Sequence, residues 1–204
     1  GFNKNQLEYT IYDVLIEDYD INKVIFKTEI KNLELIPANI QLAGAEIELT
    51  NTKFREKTLK EKINLIENKY DFIMVDCPPS LGLLSLNALT ASNTVLIPIQ
   101  CEYYSLEGVG QLIDTVKLVK KNLNPKLEIE GVILNMFDGR TNLSIQVVEE
   151  VKKYFKDKVY RTVIPRSVRL AEAPSFGQPI MLYDDKSKGS IAYIKLSEEL
   201  IKNN

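Results

Sequence analysis

The chain has 204 residues, 45% hydrophobic and 26% charged, with 26 Lys+Arg against 28 Asp+Glu and a net charge of -2. That balance suits one sizeable globular domain and excludes a basic grip on nucleic acid along the whole sequence, though not a local basic patch. There is no histidine, which excludes His-based triads, metal sites and proton relays; two cysteines, Cys77 and Cys101, are too few for a zinc site and read as buried, reduced thiols.

After a polar lead-in, Leu7, Ile11, Val14 and Leu15 have helical spacing, which predicts a short amphipathic helix over residues 6–16. Leu33 to Ile36 reads as a strand closed by Pro37, and Leu42, Ala45 and Leu49 mark a helix from about Ile40. A charged connection then leads to a helix carrying Leu59, Ile63 and Ile66. The apolar run Phe72 to Val75 predicts a buried parallel strand that delivers Asp76 to its carboxyl end, because Pro78 and Pro79 forbid continuation. A strand that merely stops at Asp-Cys-Pro-Pro fits the same pattern.

Beyond Asp76 the order becomes regular. Leu81 to Ala91 predicts a helix, and Thr94 to Ile97 a strand stopped by Pro98. Ser105 is the expected cap of a long helix with the stripe Leu106, Val109, Ile113, Val116, Val119 and Leu123. Leu127 to Met136 predicts a strand, Thr141 caps a helix through Phe155, and Val159 to Ile164 predicts the last strand, stopped by Pro165. A loop-rich stretch precedes a closing helix from about Ser190. The alternation implies an α/β fold, a single domain with a mostly parallel sheet flanked by helices. The strand ends at Pro37, Asp76-Cys77-Pro78-Pro79, Pro98, Asp138-Gly139-Arg140 and Pro165-Arg166 would then lie along one edge, where such sheets bind ligands.

Four blocks carry a family resemblance: IMVDCPPSLGLLSLNAL from Ile73, IPIQCEYYSLEGVGQL from Ile97, NMFDGRTNLS from Asn135 and VIPRSVRLAEAPSFGQPI from Val163. In this order and spacing they resemble the ParA/Soj chromosome-partitioning ATPases, deviant Walker-motif P-loop proteins, from about Tyr9 to the C-terminus. The resemblance implies that Asp76 holds Mg²⁺ through water beside ATP, and that Pro78, Pro79 and Ser80 form a γ-phosphate switch. It implies that Asn135 and Pro165 lie near the adenine. Arg140 and Arg169 would bind DNA without regard to sequence, with Lys186 and Lys188 widening the patch. It further implies a cytoplasmic, nucleoid-associated protein of chromosome or plasmid partition. Such a protein dimerises on ATP and answers to a ParB-like centromere-binding partner.

No stretch of these residues matches G-x-x-x-x-G-K-[ST], the loop and lysine that cradle phosphates. By the resemblance, that segment occupies about fifty residues ahead of Gly1, more than one strand–loop–helix unit. The 204 residues alone are therefore expected to hydrolyse ATP negligibly and to hold no catalytic residue of their own. A sheet without the P-loop strand should show a gap or exposed edges. Two other readings stay open: a module binding DNA or a partner without nucleotide, and a MinD-like membrane ATPase. The second needs a basic amphipathic C-terminal helix, and Ser197 to Asn204 (SEELIKNN) makes a poor one.

Overall fold

The computed structural model describes residue 2 and residues 7–78, 80–102 and 105–204, with backbone alone for 105–107. Two compact units divide the described chain, one taking residues 7–93 with 115–127, the other Phe2 with residues 94–114 and 128–204.

The first unit is mainly helical. Helix α1 (Ile11–Ile16) is shorter than the spacing predicts, because a capping box fixes its start: the Thr10 hydroxyl accepts from Tyr12 N and the Asp13 carboxylate accepts from Thr10 N at 2.6 Å. Strands β1 (Phe26–Lys27) and β2 (Glu34–Leu35) pair antiparallel in a small hairpin, so the strand expected near Leu33 belongs to no parallel sheet. Helices α2 (Leu42–Glu48), α3 (Thr58–Ile63) and α4 (Leu83–Ala91) follow. Val14 packs with Ile21, Val24 and Ile66 on one side of α1, and Leu15 with Leu59 and Ala88 on another. Buried Asn87 joins α4 to α3. Its amide donates to Arg55 O and Leu83 O, and its carbonyl accepts from Leu59 N, which satisfies a polar group that would otherwise oppose burial.

The predicted strand at residues 70–76 does not form. Residues 71–78 carry no ladder, and the apolar side chains stand in solvent, Phe72 at 49% and Met74 at 71% exposure. An apolar run records what a strand can bury, but a strand also needs a hydrogen-bonded neighbour, and among the described residues this segment has none.

The second unit is the α/β sheet: β3 (Thr94–Gln100), α5 (Ser105–Asn122, entered here up to residue 114), β4 (Glu128–Phe137), α6 (Asn142–Phe155) and β5 (Val159–Pro165). The strands run parallel in the order β3-β4-β5. Pro98 does not stop β3, which continues to Gln100. β3 is an edge strand, where a missing N–H is tolerated. The capping expected of Ser105 rests on a side chain outside the described residues. One sheet face packs Ile97, Ile99, Val132 and Leu134 against Ile113 of α5 and Val147, Val151 and Phe155 of α6. The other packs Ile133, Tyr160 and Ile164 against Ala192 and Leu196 of the closing helix. Between β5 and that helix lie α7 (Val168–Glu172) and α8 (Ile180–Tyr183); the closing helix is α9 (Lys188–Asn203). The Glu199 carboxylate of α9 accepts from Arg161 N at 2.7 Å and Thr162 N at 3.0 Å, so it occupies edge donors of β5.

Candidate functional site

Parallel pairing brings the three strand ends to one level. Gln100 lies opposite Asn135, and Phe137 opposite Pro165. Just beyond, Cys101 N donates to Asn135 O at 2.9 Å and Arg166 N to Phe137 O at 3.0 Å. Asn135, Asp138, Arg140, Pro165, Arg166 and Arg169 therefore all issue from the carboxyl edge of one sheet.

Asn135 is half-buried, and its Oδ1 accepts from Met136 N at 2.9 Å. Met136 holds a left-handed φ of 52°, uncommon for a long side chain and a feature that concentrates at ligand edges. Asn135 thus keeps its amide donors and one carbonyl lone pair for a ligand. Pro165 is half-buried at the end of β5.

The loop after β4 is tied by one carboxylate. Asp138 accepts from Arg140 Nε at 2.9 Å and Nη2 at 2.7 Å, a side-on fork, and from Arg140 N at 3.1 Å. The Arg140 side chain, and then its backbone N–H, hold the Asp138 carboxyl down at about 2. Thr141 closes the turn and caps α6, as expected, by accepting from Ser144 N. On α7, Arg169 Nη1 reaches Glu172 Oε2 at 3.0 Å and Nε reaches Asp184 Oδ2 at 3.4 Å, while Tyr183 OH donates to the same Glu172 oxygen. Arg166 pairs with Glu102. Lys186 and Lys188 are exposed, the latter as the first residue of α9.

Asp76 belongs to the other unit, on the extended segment. Asp76, Pro78 and Ser80 are exposed, and Ser80 O accepts from Ser85 Oγ at the start of α4; Pro79 lies outside the described residues. Cys77 departs from the expected buried thiol and is exposed, whereas Cys101 is buried. Local desolvation of the sulfur, and then the Asp76 charge, push the Cys77 thiol up, so little of it is thiolate at neutral pH. Iodoacetamide should accordingly label Cys77 slowly at neutral pH and faster as pH rises, and should spare Cys101 in the native protein. Equal labelling of both thiols would contradict the burial difference. A cavity of about 530 Å³ in the helical unit, lined in part by Leu15, Phe54 and Leu65, contains none of the expected site residues.

A family model described as an AAA domain, AAA_31, matches residues 1–129. The sporulation initiation inhibitor protein Soj of Bacillus subtilis (strain 168) is 58% identical over 203 residues, covering 100% of this chain and 80% of the Bacillus protein. The chain belongs to the ParA/Soj family of chromosome-partitioning ATPases. The chromosome partitioning protein ParA of Myxococcus xanthus is 51% identical over 202 residues, covering 99% of this chain and 71% of that protein. Among solved structures, cobyrinic acid a,c-diamide synthase from Mycobacterium smegmatis, with an ATP analogue and magnesium bound, matches with a TM-score of 0.84. It is 34% identical and covers 99% of this chain and 75% of its own. The α/β fold of the ParA/Soj chain is thus the one seen in P-loop ATPases.

Within this ParA/Soj chain, sequence reasoning named Arg140 and Arg169 as candidates but did not name the carboxylates that hold them. Two signals were available: Asp138 stands two residues before Arg140 in a Gly-containing turn, and Glu172 stands three after Arg169 on a helix. Asp184 and Glu102 are distant in sequence and carried no such signal.

Proposed function

We propose that this chain serves a partitioning ATPase that binds ATP with Mg²⁺, holds DNA non-specifically, dimerises on nucleotide and is regulated by a centromere-binding partner. The observation that carries this reading is the shared sheet edge, which gathers the base-facing candidates, polar Asn135 and apolar Pro165, with the arginine-bearing loops. A planar nucleobase fits beside Asn135 amide donors, and guanidinium forks fit phosphate oxygens.

Asp76 fits a magnesium role. It is an exposed carboxylate, and among the described residues no group of three His, Cys, Asp or Glu side chains forms a cage. Magnesium keeps most of its waters and takes few protein oxygens, so one carboxylate acting through water is an adequate protein share. Magnesium held there would supply positive charge against the phosphates. Asp76 would orient it, and Ser80, anchored through Ser85, would fix the far end of the switch segment. The membrane alternative has less to support it: it needs an apolar helix face free for the membrane surface, and α9 spends Ala192, Leu196 and Leu200 on the sheet.

The test is the Mg²⁺ dependence of nucleotide-induced thermal stabilisation. Asp76→Asn should weaken the Mg²⁺-dependent part by about tenfold in ion concentration while sparing the fold, since the residue is exposed. A titration identical to that of the unaltered protein would remove Asp76 from the site.

A further inference from the structure

Every arginine on the carboxyl edge of the sheet is already occupied by an acid of the same unit: Arg140 by Asp138, Arg166 by Glu102, and Arg169 by Glu172 and Asp184. The first pair matters most, because its geometry is that of phosphate recognition. Nε and Nη2 of Arg140 meet two oxygens of one carboxylate, the same two-point fork that a phosphate would offer to fill. Asp138 is also pre-positioned. Its backbone carbonyl accepts from Thr141 N, its Oδ1 accepts from Arg140 N, and its side chain is only 18% exposed beside an arginine that is 88% exposed. Arg169 is gripped from two directions, and Glu172 is steadied by the Tyr183 hydroxyl, whose ring stacks on Phe176.

A phosphate backbone that approaches this edge meets guanidinium groups whose donors are partly spent and whose charge is largely balanced. We propose that Asp138, Glu172 and Asp184 are internal counter-ions that hold Arg140 and Arg169 in a phosphate-like grip until a polyanion displaces them, and so set the affinity for DNA. The proposal rests on the DNA-binding reading of the two arginines. Exposed ion pairs of this kind are individually weak, which is what an exchangeable counter-ion requires: a pair worth much more would never yield to phosphate. The arrangement is no pH switch, since the Asp138 carboxyl, held at about 2, stays charged throughout the physiological range.

The experiment measures fluorescence anisotropy of a labelled, non-specific DNA duplex with the protein over a range of salt. Six proteins are compared: unaltered; Asp138→Asn with Glu172→Gln and Asp184→Asn; Glu67→Gln with Glu149→Gln and Glu198→Gln, the same charge change at exposed positions elsewhere in the chain; Arg140→Ala with Arg169→Ala; and that arginine pair combined with each of the two neutralised sets. The neutralised edge should bind about tenfold tighter than the unaltered protein, and the off-edge control should change by no more than about twofold. Combined with the arginine substitutions, the edge neutralisation should lose its advantage over the control. Asn at 138 keeps the turn, and a urea midpoint matching the unaltered protein verifies the fold.

A gain no larger than the control, a gain that survives loss of both arginines, or no binding by any of the proteins overturns the proposal. Loss of binding in the arginine variant with no gain on neutralisation sinks the counter-ions alone. Unchanged binding in the arginine variant sinks the DNA reading itself.

Discussion

Replacing Arg140 and Arg169 together by alanine is expected to bring retention of non-specific duplex DNA below detection, a fall of about a hundredfold or more. Two effects add. Two forked phosphate contacts per chain disappear, and each contact contributes nearly one unit to the slope of log affinity against log salt, so that slope should flatten by about two. The alanine variants also leave Asp138, Glu172 and Asp184 without their cations, so an edge that was balanced becomes acidic and repels the duplex. Folding should barely notice. The Arg140 side chain is 88% and that of Arg169 56% exposed, and exposed ion pairs contribute at most about 1 kcal/mol. Nucleotide-induced stabilisation is the internal control and should be unchanged, since neither guanidinium is a nucleotide contact in this reading. Arg161→Ala, at an exposed position within β5, removes one cation away from the carboxyl edge and should weaken binding little. Retained DNA affinity in the double variant would sink the assignment of these arginines.

The candidate functions are divided between parts of the chain that owe their form to different forces. The base-facing and arginine-bearing residues hang from a parallel sheet whose faces are both covered, and their positions follow from strand register. Asp76, Pro78 and Ser80 sit on an extended segment whose apolar residues are exposed, with no ladder to hold them. If this segment serves as the proposed switch, the absence of a ladder among the described residues would suit that role, because a group that responds to a phosphate must move for a small free-energy difference.

Sequence pattern made the sheet unit legible for a physical reason. β4 carries the continuous apolar run Val132 to Leu134 because both faces are covered, β5 is bounded by the apolar pairs Val159-Tyr160 and Val163-Ile164, and α6 announces itself with the Thr141 cap and the stripe Leu143, Val147, Val151 and Phe155. The same signal misled at Phe72 to Val75, where apolar composition is present and a pairing neighbour is not. Pro98 misled in the opposite sense, since proline stops a strand only where its missing N–H is needed. The hairpin of β1 and β2 was half visible. Its turn is set by the Thr28 hydroxyl, which bonds Leu33 O, and by left-handed Asn32, while strands of two residues carry almost no periodicity. Of the site's ion pairs, the local ones, Asp138 with Arg140 and Glu172 with Arg169, had a signal in the sequence, whereas Arg166 with Glu102 had none, because that pair depends on two loops meeting at a sheet edge.

Leu134→Ala should give the largest loss of stability among single substitutions on the site's support, about 3 kcal/mol. Leu134 is fully buried on β4, the middle strand, within the cluster formed by Ile99, Val132, Val147 and Val151. A middle strand is held by ladders on both sides, so its backbone has little freedom to collapse into the space that the lost Cγ, Cδ1 and Cδ2 leave, and the cavity cost adds to the transfer cost. In urea the midpoint should fall by about 1–2 M with the slope unchanged. Ile201→Ala, at an exposed position on α9, should move it by less than about 0.5 M. The consequence for function follows from position. Asn135 is the next residue, its carbonyl receives Cys101 N, and the strained Met136 and the Asp138 turn come directly after it. A void under Leu134 removes the packing that opposes relaxation of Met136 from its left-handed φ, so nucleotide-induced stabilisation should weaken even at temperatures where the variant remains folded. A variant that loses stability yet keeps the full nucleotide response would show that the Asn135–Met136 geometry is set by the loop itself and not by the core beneath it.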